Sequence, residues 1–121
     1  MAVIVPKVAT VGYGNSAVQT VQWTPVTEAD TCRPIQFPEF SDKSIQVSGT
    51  FGGASVALNG SNDGTNFAAL RDPSSTTIAI TQAGIKAVLE NTWQVQPSVT
   101  GGSSQSLTIT LLVHAANPLR A

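Results

Sequence analysis

Lys43-Ser-Ile-Gln-Val-Ser-Gly-Thr-Phe51, then Gly52-Gly53, then Ala54-Ser-Val-Ala-Leu-Asn59 is a pair of alternating apolar/polar runs joined by two glycines. Strict alternation is the period of a half-buried strand. A Gly-Gly pair between two such runs signals a two-residue hairpin turn, because both positions accept positive φ. Folding the chain there predicts Phe51 opposite Ala54, Gly49 opposite Val56 and Val47 opposite Leu58, all on one face. Thr50/Ser55, Ser48/Ala57 and Gln46/Asn59 fall on the other. A slip of one residue would mix the two sets, so turn and pattern agree on the register.

Working outward, the rest of the chain keeps the same period. Gly60-Ser-Asn-Asp-Gly64-Thr-Asn66 and Asp72-Pro-Ser-Ser75 are dense in turn formers. Between and after them, Phe67–Arg71 and Thr76–Thr81 read as short strands, the second with Ile78 and Ile80 on one side. Trp93–Val99 alternates, and Pro97, which cannot donate to a ladder, places it at an edge or a bulge. Ser106–His114 turns Leu107, Ile109, Leu111 and Val113 inward and Thr108 and Thr110 outward. On the N-terminal side, Val18–Trp23 puts Val21 and Trp23 on one face. Arg33–Phe40, with prolines at 34 and 38, suits an edge strand. One segment departs from the period: Ile85, Val88 and Leu89 stand at i, i+3, i+4, which predicts a short helical turn near residues 82–90.

These elements predict an all-β chain of one domain over residues 1–121, an antiparallel sandwich of about seven to eight strands. Jelly-roll and immunoglobulin-like windings both fit. Residues 1–17 form a candidate extended N-terminal arm. Composition agrees. Only 11% of residues are charged, while 26 of the 121 are Ser or Thr. Exposed helices favour Glu, Lys and Arg, whereas hydroxyl residues suit the outward faces of strands. The net charge of −1 supplies no basic patch for nucleic acid and no attraction to an anionic membrane. The opening Met1–Lys7 lacks a basic n-region and is cut short by Pro6, so no signal peptide is expected and synthesis is placed in the cytoplasm.

The search for chemistry is short. His114 is the sole histidine and Cys32 the sole cysteine. No zinc ligand set and no nucleophile–base pair follow from them, and neither an enzyme nor a cofactor is expected. Asn62-Asp63-Gly64 starts like a calcium loop but lacks the further carboxylates, so it reads as a turn. Trp23 and Trp93 fit either a sugar-stacking platform or the core of an alternating strand.

The stretch Ser44–Phe67, followed by Ala83-Gly-Ile-Lys-Ala-Val-Leu-Glu-Asn91, Trp93 and Pro97 with Val99-Thr-Gly-Gly102, resembles small virion proteins of tailed bacteriophages, in particular capsid decoration (cement) proteins. The similarity runs over residues 43–115. It implies a small sandwich on the outer capsid surface that clamps neighbouring subunits of the major capsid protein, as a homodimer or homotrimer and without catalytic residues. A carbohydrate-binding or host-recognition module of a fibre, and a tail-tube or adaptor subunit, are the alternatives. The residues expected to meet a partner are the apolar Ala2, Val3, Ile4 and Val5 of the arm with Ile35 and Phe37 of the edge strand.

Overall fold

The computed structural model describes residues 3–10, 18–36, 40–90 and 92–115, with Thr10, Phe40, Ser41, Asp42, His114 and Ala115 described by backbone alone. The strands are β1 (Val3–Ile4), β2 (Lys7–Thr10), β3 (Val18–Val26), β4 (Thr31–Cys32), β5 (Ile35–Gln36), β6 (Phe40–Thr50), β7 (Ser55–Ser61), β8 (Ala68–Ala69), β9 (Gly84–Val88), β10 (Gln94–Thr100) and β11 (Ser106–Ala115). A five-stranded sheet runs β2-β3-β11-β6-β9, a four-stranded sheet β5-β10-β7-β8, and β1 pairs with β4.

The order decides between the two windings. Four antiparallel pairs nest inside one another in sequence: β3 with β11, β5 with β10, β6 with β9 and β7 with β8. A long hairpin of eight strands, wrapped so that the strands along each of its two arms alternate between the sheets, gives that pattern and is a jelly roll. β1, β2 and β4 are additions to it, which accounts for the excess over the seven to eight strands expected.

The core lies between the sheets. Val21 and Trp23 of β3, Ile45 and Val47 of β6, and Leu107, Ile109, Leu111 and Val113 of β11 face Val56 and Leu58 of β7 and Val95 and Val99 of β10, all buried. Ile78 and Ile80 are buried as well, although the segment expected as a strand is held only by bridges from Thr77 and Ile80. The expected strand Phe67–Arg71 is likewise reduced to β8 and a bridge at Arg71.

The Gly52-Gly53 turn forms, with φ of 58° and 86° and Ala54 N–H donating to Phe51 C=O over 2.9 Å. The ladder expected beyond it does not. β6 and β7 part into opposite sheets: Val47 pairs with Ile109 and Gly84, and Leu58 with Pro97. The apolar alternation is served either way. A hairpin puts Val47 and Leu58 side by side on one sheet, whereas the jelly roll sets them on facing sheets, which buries each of them fully. Gly49 marks the divergence. Its φ is 111°, and a Cβ there would run into the Ser106 carbonyl on β11, so only glycine lets the strand bend while paired. Ser103 N–H then bonds Gly52 C=O over 3.0 Å, tying the loop after β10 to the turn.

The predicted helical turn near residues 82–90 is also replaced. Gly84–Val88 is an edge strand on β6, and of its apolar set only Val88 is buried. The helix reading needed Ile85, Val88 and Leu89 on one buried face. In the fold Ile85 pairs with Gln46 and so stands on the outer face, opposite to Val88. Pro97 sits within β10, where β7 runs along one side but β5 covers only Gln94 and Val95 on the other. One flank is therefore unpaired at Pro97, where the missing N–H is tolerated.

Candidate interaction surfaces

The residues expected to meet a partner are partly brought together. Val3 and Ile4 pair in parallel with Thr31 and Cys32, and Ile4 C=O accepts the Arg33 N–H over 2.9 Å. Ile4 packs against the core while Val3 and Val5 are exposed. Ile35, half-buried, pairs with Val95 at the edge of the four-stranded sheet. Val5, Pro6, Arg33, Pro34, Ile35 and Gln36 line one shallow groove, so the arm and the edge strand do converge. Ala2 and Phe37 lie outside the described residues. Lys7–Thr10 adds an outer strand to β3 of the same chain.

A larger surface emerges only from the topology. In antiparallel ladders directly opposed residues share a face. Lys7, Gln22, Thr110, Gln46 and Ile85 therefore form one row across the outer face of the five-stranded sheet. Ala9, Thr20, Leu112, Ser44 and Ala87 form the next. Gln22 Nε2 donates to Thr110 Oγ1 over 3.1 Å, and the hydroxyls of Thr24 and Thr108 are 2.8 Å apart. Lys7 is the one charged residue in these two rows. Away from Lys7 the two rows can hydrogen-bond in either sense and cost little to desolvate, since no other ion in them has to leave water.

Of the remaining candidates, Trp23 and Cys32 are structural. Trp23 is wholly buried and donates Nε1–H to the Arg33 C=O over 2.9 Å, which removes it as a sugar platform. Trp93 is 38% exposed, with its backbone N–H on Asn62 Oδ1 at 3.1 Å. Cys32 is buried, and its thiol pKa is pushed up to about 12, mainly by desolvation with Asp30 adding repulsion. Its carbonyl accepts Gln96 Nε2 over 2.7 Å. Such a thiol is a poor nucleophile at neutral pH. The side chain of His114 lies outside the description. Among the described residues no three His, Cys, Asp or Glu side chains gather as a metal site.

Asp63 is a turn lock. Its carboxylate accepts the N–H groups of Asn66 and Thr65, each over 2.8 Å, together with Asn66 Nδ2 and Ser61 Oγ. These bonds, the Asn66 N–H foremost, hold its pKa well below the ordinary carboxylate value. The sign follows from linkage. A depressed folded pKa contributes stability that is whole above the unfolded value of about 3.9 and is lost as pH falls below it. Asp63→Asn should therefore be less stable than the parent at pH 7, and the gap between their urea midpoints should narrow on acidification below about pH 4. A gap of constant size would contradict the lock.

No protein-family model matches the chain, and no curated protein matches it by sequence. Its fold is shared with a solved structure. The SPBc2 prophage-derived protein YomS superposes with a TM-score of 0.61 at 10% identity, over 84% of this chain and 98% of that one. Protein NMB1881 from Neisseria meningitidis aligns at a TM-score of only 0.38 and 11% identity, over 92% of this chain and 82% of that one. At these identities the likeness to YomS is one of fold.

Proposed function

We propose that this chain is a non-catalytic structural protein of a bacteriophage particle that decorates the outer surface of the capsid and binds across neighbouring major capsid subunits. The observation that carries this reading is the outer face of the five-stranded sheet, where two rows rich in hydroxyls and amides hold Lys7 as their one charged residue. Interface cores are depleted in charge, and a rigid sheet face with few charges loses little conformational entropy on docking. The fold shared with a prophage-derived protein and the resemblance of residues 43–115 to virion proteins lend support.

Purified protein mixed with undecorated capsids should bind saturably and at a fixed stoichiometry, read by co-sedimentation and by electron microscopy of the shells. No binding to any assembly state of the capsid would overturn the reading. Trp93 keeps a carbohydrate-binding role in view, because it is the exposed tryptophan. A change in its fluorescence on titration with host polysaccharide, without capsid binding, would favour that role instead. Assembly of the protein alone into rings or tubes would favour a tail-tube or adaptor role.

A further inference from the structure

β9 is an open edge. It pairs with β6 on one side, and Gly84, Ile85, Lys86 and Ala87 are all exposed, with Ile85 at 65%. Edge strands are normally blunted by charge, proline or a bulge, because their free N–H and C=O groups recruit other strands. Here the only charge on the edge is already engaged, Lys86 Nζ lying 3.7 Å from Asp72 Oδ2 of its own chain. Leu89 donates its N–H to the Arg71 carbonyl rather than to β6. Backbone groups alternate sides along a strand, so those of Ile85 and Ala87 point the same way as Leu89, to the open side.

We propose that β9 pairs antiparallel with β9 of a second copy of this chain about a two-fold axis at Ile85, joining the two five-stranded sheets into one. The register is selected by the residues. Matching faces require that odd positions oppose odd and even oppose even. Centring on Lys86 would set two ammonium groups against each other, which like charges directly opposed disfavour. Centring on Ala87 would recruit Leu89, whose N–H is already used. Centring on Ile85 sets Ile85 against its own copy, Ala83 against Ala87, and Gly84 against Lys86. A Cβ at Gly84 would meet only the Gln82 carbonyl oxygen, at an ordinary contact distance of 3.8 Å, so the position is uncrowded toward the opposing lysine stem. Ile85 then buries its exposed side chain, and the free N–H and C=O groups of Ile85 bond each other. The two outer faces become continuous. The interface is short, so the dimer should be concentration-dependent rather than obligate. The proposal does not depend on the capsid reading.

Sedimentation velocity from low micromolar to near millimolar concentration should show a monomer–dimer equilibrium. Ile85→Lys, at an exposed site that leaves the fold unaltered by circular dichroism, should weaken it by at least about tenfold. Cysteine placed singly at 85, 86 or 87 reads the register. Directly opposed residues in a hydrogen-bonded pair stand about 5.5 Å apart at Cα, within disulfide range. Ile85→Cys should oxidise to a linked dimer, while Lys86→Cys and Ala87→Cys should not. A monomer at every concentration, a dimer indifferent to Ile85→Lys, a trimer, or cross-linking at 86 or 87 in preference to 85 would each overturn the proposal. Loss of capsid binding with an intact dimer would leave it standing.

Discussion

Replacing Trp23 with alanine should destabilise the protein by about 3–5 kcal/mol, the usual cost of emptying a tryptophan site in a core. Trp23 is wholly enclosed between the sheets, and its Nε1–H satisfies the Arg33 carbonyl, which anchors the segment leading into β5. Alanine would open a cavity under β3 and leave that carbonyl without its indole partner. A domain of this kind holds roughly 5–15 kcal/mol in all, so the variant should be close to unfolding at moderate temperature. Trp23→Phe should lose less, since it keeps most of the apolar volume and forfeits the N–H donor. The measurement is urea unfolding of the three proteins, followed by far-UV circular dichroism. A Trp23→Ala loss no larger than that of an exposed truncation such as Ile85→Ala would contradict the core assignment.

Which side faces the core was legible from local pattern in the regularly alternating strands, because period-2 alternation is a property of a single strand. Leu107, Ile109, Leu111 and Val113 inward, Thr108 and Thr110 outward, and Val21 with Trp23 on one face all stand in the fold as expected. Partner choice was not legible. The same alternation in β6 and β7 is satisfied by a local hairpin and by two facing sheets, and what separates them is distant: β11 and β9 flank β6, and β10 flanks β7. Gly49 was the available signal, since a glycine inside an otherwise regular strand suggests a close backbone approach. The helical turn failed for a related reason. Three apolar residues at i, i+3, i+4 describe a helix face only if all three are buried, and an edge strand can leave two of them in water.

The candidate surfaces divide along the same line. The arm and edge-strand groove rests on apolar residues visible in sequence, such as Val5 and Ile35. The broad face does not, because Gln22, Gln46 and Thr110 become neighbours only through ladders between segments distant in the chain. Uncharged polar residues carry little local signal of function, and their number in this chain pointed to strands without saying that they would share one plane.

That plane yields the second large effect. Gln46→Glu combined with Thr20→Glu should weaken binding to capsids by about a hundredfold or more, with little change in stability. The two positions lie on β6 and β3, separated by β11, so the new carboxylates are not directly opposed within the sheet. Each remains solvated in the free protein. On docking each would have to leave water without a partner, at a cost of several kcal/mol per ion, and every 1.4 kcal/mol is tenfold in affinity. The corresponding lysine pair distinguishes desolvation from attraction. If both signs of charge abolish binding, the face is buried against a neutral partner surface. If lysine is tolerated and glutamate is not, the partner is acidic there. Unchanged saturation by both variants would remove this face from the contact and move it to the groove between Val5 and Ile35, where Val5→Asp would then be the variant that fails to bind.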